Sequence, residues 1–283
     1  MQGISATPTP VTAEFLYFSR AMSLTETSLL TITCIGFAYA CIKFKLLTIG
    51  GAIASIITGL TLLYCGGIPI LIPLIFFFLS GSLISRLLPP RHHSDNKSGK
   101  ARDAVQVLAN GGVYTTIALI HYFHPHPSLP VLMAIALSTA TSDTWASDFG
   151  LGIPSATYNI SNFRLISPGV SGGISLTGTL GGLAGALSIA LLYYFIINQN
   201  LLHAIYITAA GFTGMIADSL LGAKLQAKYY QPQTGHWSDT LNQHYQHKSG
   251  FRSITNDHIN LISQIIICIV AIIPLLLLAK SLE

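Results

Sequence analysis

Charge is scarce in this chain. Asp, Glu, Lys and Arg make up 8% of its 283 residues, hydrophobic residues make up 51%, and the mean hydropathy is +0.59. Soluble domains carry about 25% charged residues, so a soluble core is excluded and the composition is that of a polytopic membrane protein. Cysteine is sparse too. Cys34, Cys41, Cys65 and Cys268 all lie in apolar runs, with no zinc-type spacing and no extramembrane disulfide partner, and read as core filler. Met1 to Ala13 lacks the basic flank and apolar centre of a secretory signal, so no cleaved leader is expected. There is no sustained repeat, and no nucleic-acid partner is expected.

What abounds is apolar chain of membrane-crossing length. A bilayer core takes about 20 apolar residues per helix, which gives eight candidate spans: about 27–42, 46–65, 67–87, 104–123, 129–149, 173–197, 201–222 and 258–279. The count is seven if the short first run is tilted or interfacial. The expectation is an all-α, polytopic helical bundle of about eight transmembrane helices, with residues 1–26 as an N-terminal segment and 27–283 as one membrane domain. Loop charge sets its orientation. Of 14 basic residues, Lys43, Lys45, Arg86, Arg91, Lys97, Lys100, Arg102, Arg164, Lys224, Lys228, Lys248 and Arg252 follow odd-numbered spans, leaving Arg20 and Lys280 opposite. Cytoplasmic loops collect Lys and Arg, so both termini are expected outside and the odd loops in the cytoplasm, in a bacterial inner membrane. His121, His124 and His126, after the fourth span, suit the outer face.

Against this background, polar residues inside the spans stand out. Residues 138–150 read STATSDTWASDFG; on a helix Asp143 and Ser147 share one face, and Thr144 and Asp148 its neighbour. A charge at mid-bilayer costs about 2.5 to 3.5 kcal/mol on insertion scales, and is tolerated where it lines a wet cavity or meets a cation. Asp148 also has a plain reading, as a marker of the water interface; Asp143, deeper by more than a turn, points to function. Residues 167–182 read SPGVSGGISLTGTLGG. Pro168, Gly169, Ser171, Gly172, Gly173 and Ser175 suit close backbone approach to phosphate at a helix opening, although no Walker Gly-Lys-Ser/Thr follows. Gly178, Gly182 and Gly185 read instead as a helix-packing stripe.

Three further patches fall at the same cytoplasmic edge. Asp103, Gln106 and Asn110 share a face of the fourth span, with Lys97, Lys100 and Arg102 just before it; Asp218, Gly222 and Gln226 form a stripe ending the seventh; Asn256, Asp257 and Asn260 open the eighth. Each alone fits a cap or an interface residue. Together they place the intramembrane carboxylates at one rim. Carboxylates and amide oxygens are the ligands magnesium takes alongside phosphates and water, and magnesium, cations and backbone amides are what phosphoryl or nucleotidyl transfer needs. A transporter binding a cation or proton is the competing reading, and would want acids nearer the midplane with a path to both faces.

RDAVQVLANGG, ATSDTWASDFG, PGVSGGISLTGTLGG, ADSLLGAKLQ and ITNDHIN, in this order over roughly residues 40 to 275, resemble the membrane family of transmembrane protein 19 and the plant phytyl-phosphate kinases, known as domain of unknown function 92. The resemblance implies transfer of a phosphoryl group from a nucleoside triphosphate, CTP favoured, to an isoprenyl or polyprenyl monophosphate at the cytoplasmic leaflet. A looser likeness to phosphatidate cytidylyltransferases and dolichol kinases keeps cytidylyl transfer to a lipid phosphate open. The chain departs from the family pattern at Val170, where a Thr often follows Pro-Gly, and at Asp148, more usually Glu. On this reading Asp143 and Asp218 hold Mg2+, Asp257 joins them as a third catalytic acid, Ser171, Gly172 and Gly173 cradle phosphate, and Lys97, Lys100 and Arg102 draw in the nucleotide.

Overall fold

The computed structural model describes residues 24–89, 100–242 and 244–280; Lys97 and most of the 1–26 segment lie outside them. Among the described residues seven helices run in the order α1 (Leu24–Lys43), α2 (Ile49–Leu87), α3 (Ala104–Phe123), α4 (Ser128–Gly152), α5 (Leu176–Ile196), α6 (Leu201–Leu225) and α7 (Asn256–Lys280). The chain is an integral membrane helical protein: α1, α2, α5, α6 and α7 are long and apolar enough to cross a bilayer. Large apolar side chains such as Ile49, Leu87 and Phe195 cover its exterior.

α2 has 39 residues, about 58 Å if straight, far longer than a bilayer core needs. It does not run straight. Gly67 has φ 70° and ψ −158°, a conformation side chains rarely tolerate, and the helix doubles back there. A Cβ at Gly59 would lie 3.9 Å from Leu71, and the Arg86 guanidinium donates to the Phe44 carbonyl beside the other end. The fold-back falls between the expected spans 46–65 and 67–87. Pro69 sits just after it, where a missing amide hydrogen costs little.

α4 is the central helix. Residues 131–142 are all buried, because small residues let both neighbours approach its backbone. A Cβ at Gly185 of α5 would lie 2.9 Å from the Thr141 carbonyl oxygen, and one at Gly178 would lie 2.8 Å from that of Ala146. On α6, Cβ atoms at Gly211 and Gly214 would collide with Ser138 and Thr139. The later glycines of the 167–182 segment thus act in packing. Since no face of this stretch of α4 meets lipid, it accommodates hydroxyls: Ser142 donates to the Gly182 carbonyl at 2.8 Å, Ser138 to that of Ala186 at 3.2 Å, and Thr141 back to Leu137 at 2.7 Å.

The all-α expectation holds for the bundle, and two loops add short strands. β1 (Thr157–Asn159) and β2 (Gly173–Ser175) pair antiparallel, Thr157 opposite Ser175. β3 (Lys228–Gln231), β4 (His236–Ser238) and β5 (Gln246–Ser249) form a three-stranded antiparallel sheet with β3 in the middle. Both sheets stand at the end of the bundle where α4 and α6 terminate and α5 and α7 begin. Short polar strands satisfy backbone groups that an extended loop would leave unpaired.

Candidate functional site

Where α4 stops being buried, a polar cavity of ≈ 350 Å³ opens. Asp143 and Asp218 face each other across it. α4 delivers Asp143 and α6 delivers Asp218, and the two carboxyls stand close enough to act on each other directly. Two like charges this close repel strongly, so the pair calls for a shared proton or a cation between its oxygens. Asp218 is nearly fully buried and accepts from Ser263 Oγ at 2.8 Å. With its amide nitrogen turned inward, Asn260 donates to Asp218 Oδ2 at 3.2 Å and to the Asn256 carbonyl at 3.0 Å. Asn110 lies 3.2 Å from the same Asn260 amide, so α3, α6 and α7 meet in one polar network beside the acids.

Arg102 forms the opposite wall. Its backbone is stapled to the α1–α2 connection, Arg102 N–H donating to Leu46 O at 2.9 Å and Thr48 N–H to Arg102 O at 3.0 Å. Its guanidinium lies 5.2 and 5.4 Å from the ring centroids of Phe77 and Phe78, within cation–π range. Gly81 makes room for it, since a Cβ there would lie 2.7 Å from Nη2. From this seat Arg102 attracts the buried Asp148. Lys100, Gln106 and Ser147 line the same cavity.

The glycine segment supplies the third wall. Gly169 and Gly172 have φ of 88° and 83°, and a Cβ at Gly172 would collide with Ala223 of α6. Gly222 admits Ser171 in the same way, placing Ser171 one turn beyond Asp218. Pro168 and Gly173 also line the cavity. The Ser175 hydroxyl accepts from Gly178 N–H at 3.1 Å as the N-cap of α5. α5 and α7 therefore both open at the cavity, where the partial positive charge of helix starts favours anions.

Eighteen of the twenty residues expected at the site line this one cavity, including Gln226, Asn256, Asp257 and Asn260. Lys97 is outside the described residues. Asp103 is a correction: it does not line the cavity, because its carboxylate accepts from Gln106 N–H at 2.9 Å while the Gln106 side chain accepts from Asp103 N–H at 3.3 Å, a reciprocal capping box that starts α3. Asp257, expected as a third acid beside Asp143 and Asp218, borders the cavity on α7; among the described residues no three His, Cys, Asp or Glu side chains come together as a metal-binding group.

Sequence reasoning missed Asp239. Following β4, its carboxylate accepts from Ser171 N–H at 3.0 and 3.2 Å and from Gln226 Nε2 at 3.1 Å, while Ser171 Oγ donates to Gln226 Oε1 at 2.8 Å. The glycine loop thus already binds an anion, and that anion is the protein's own. Burial pushes the Asp239 carboxyl up to about 6, partly countered by the Ser171 amide and by Lys228, whose own amine burial pushes down. Lys45, Ser82, Ser85 and Arg86 also line the cavity and were read only as loop or span residues.

Fold and site together define a class, an integral membrane helical protein with a charged cleft at one end of the bundle. The chain belongs to the family described as integral membrane protein DUF92, which matches residues 32–268. It is 33% identical over 186 residues to an uncharacterized membrane protein of Methanocaldococcus jannaschii, covering 66% of this chain and 77% of that protein. A Synechocystis membrane protein, also uncharacterized, is 30% identical, with 56% and 64% covered. The protein VTE6 of Arabidopsis thaliana, a chloroplastic protein, is 27% identical over 48% of this chain and 34% of its own length. No solved structure matches.

Proposed function

We propose that the chain transfers a phosphoryl group from a nucleoside triphosphate, CTP favoured, to an isoprenyl or polyprenyl monophosphate, at a site on the cytoplasmic side of the membrane. The observation that carries this reading is the facing pair of Asp143 and Asp218 in a cavity that also holds Lys100, Arg102 and a glycine loop. The resemblance of its motifs to those of the plant phytyl-phosphate kinases supports the same class of acceptor.

The donor set suits Mg2+. Magnesium binds through one or two carboxylates plus substrate phosphates and retained waters, and Asp143 and Asp218 are two facing carboxyls among amides and hydroxyls. These two residues would hold the ion, which when bound offsets phosphate charge. The protein's own groups do the rest. Arg102, held rigid by its backbone staples and Asp148, offers a fixed fork to phosphate oxygens, and Lys100 adds a second cation. Asn110, Asn256 and Asn260 keep Asp218 in place. An oxygen of the acceptor monophosphate attacks the γ-phosphorus, a P–O bond forms to the acceptor as the bond to the β-phosphate oxygen breaks, and nucleoside diphosphate leaves. An ionised phosphate needs no strong general base.

The test is direct. Purified protein with Mg2+, labelled CTP or ATP and a panel of prenyl monophosphates should yield a prenyl diphosphate and nucleoside diphosphate by mass spectrometry. A cytidylylated lipid with pyrophosphate would instead establish the nucleotidyl transfer reading. Substrate flux into proteoliposomes without nucleotide would establish a transporter, which the buried run 131–142 behind Asp143 argues against.

A further inference from the structure

The cavity has two chemically different sides. One side carries the acids and the glycine loop, built largely from α4, α6 and the extramembrane sheets. The other carries Lys45, Ser82, Ser85, Arg86, Lys100 and Arg102. Ser82, Ser85 and Arg86 stand at i, i+3 and i+4 on α2, hence on one face, and Arg86 reaches across to the chain beside Lys45 by donating to the Phe44 carbonyl. Among the described residues, no carboxylate pairs with Lys45, Arg86 or Lys100, whereas Arg102 has Asp148.

Lys45 adds an independent observation. After α1, Leu46 N–H donates to Cys41 O at 2.8 Å and Lys45 N–H to Ile42 O at 2.9 Å, the bond pattern that ends a helix with a left-handed residue, usually glycine. Lys45 takes that conformation with φ 54°, at a cost of about 1 to 2 kcal/mol for a residue with a Cβ. A lysine where glycine is easier, at a position that lines the cavity, points to a use for the charge. The surroundings indicate which ligand it meets. Phe44 and Ile49 flank Lys45, Leu83 and Leu87 flank Arg86, and these apolar side chains are exposed toward lipid, 57% at Leu83 and 71% at Ile49. The acid side, in contrast, is bordered by polar extramembrane chain, Thr157 of β1, Ser175 of β2 and Asp239 and Thr240 after β4.

We propose that this cationic side is the seat for the phosphate monoester of the lipid acceptor, its hydrocarbon tail leaving toward the bilayer past Leu83 and Leu87, while the nucleotide occupies the acid and glycine-loop side. The assignment rests on the transferase reading and deepens it. Lys45→Gly separates fold from binding, because it relieves the left-handed strain and should leave the melting temperature unchanged or raised. Arg86→Gln is the second variant.

Equilibrium binding of geranylgeranyl monophosphate to the full chain in nanodiscs, without nucleotide, is the readout, with geranylgeraniol, inorganic phosphate and CTP as parallel probes. The wild type should bind the lipid phosphate and not the alcohol, and each variant should weaken it by about tenfold or more, as loss of one charged hydrogen bond does, with CTP affinity within about twofold. Unchanged lipid-phosphate binding in both folded variants overturns the assignment, as does a loss confined to CTP, binding of inorganic phosphate alone, or no binding of lipid phosphate by the wild type. Wild-type binding that both variants weaken, with no turnover on any nucleotide, would end the transferase reading yet leave the seat standing.

Discussion

α4 carries polar residues along two stretches, and they behave differently. From Ser138 to Ser142 every side-chain hydroxyl is spent on a backbone carbonyl, of its own helix, of α5 or of α6. From Asp143 to Asp148 the polar groups meet other side chains across a cavity: Asp143 faces Asp218, and Asp148 faces Arg102. One helix thus shows both uses of polarity in a membrane protein. The hydroxyl stretch is self-satisfied and serves packing; the acid stretch leaves charge that only a ligand, a proton or a neighbouring cation balances.

Replacing the acids should break this contrast most sharply. Asp143→Asn or Asp218→Asn should lower turnover by at least about 10² to 10³-fold, while the melting temperature stays level or rises because two facing carboxyls no longer repel. In the packing stretch the reverse is expected. Gly185→Val pushes side-chain atoms into the Thr141 carbonyl and should cost about 1 to 3 kcal/mol of stability, measured by thermal unfolding in detergent.

Asp239→Asn sharpens the comparison by asking how a third acid is held. Burial raises the folded Asp239 carboxyl from the ordinary 3.8 to about 6, so the folded wild type keeps its proton where the unfolded chain has lost it. Its stability therefore falls as pH rises from about 4 to about 6. The variant lacks this loss. It should be more stable than the wild type by on the order of 3 kcal/mol above pH 7 and show no advantage below pH 4. Smallest is Ser142→Ala, at about 0.6 kcal/mol, the average for side-chain hydrogen bonds between membrane helices.

Much of this was legible in the sequence where physics is local. Apolar length put a break between the spans 46–65 and 67–87, and the structure folds back at Gly67. Acids where lipid-facing residues belong flagged Asp143 and Asp218. The Asp103–Gln106 spacing was legible as a capping box too, but read as part of a polar stripe. What stayed hidden depends on long-range packing. Asp239 sits 68 residues from Ser171 in a polar stretch that resembles solvated loop, and only its folding as a three-stranded sheet buries the carboxylate against the glycine loop. Lys45 looked like one more positive loop residue, because a left-handed backbone leaves no mark on composition.

The central claim is that Asp143 and Asp218 share one divalent ion with substrate phosphates. Mn2+ binding followed by electron paramagnetic resonance, with and without CTP, tests it without relying on turnover. The account predicts a bound Mn2+ signal in the wild type that strengthens with CTP and disappears in Asp143→Asn and in Asp218→Asn. Equal Mn2+ binding by the wild type and both variants would contradict it.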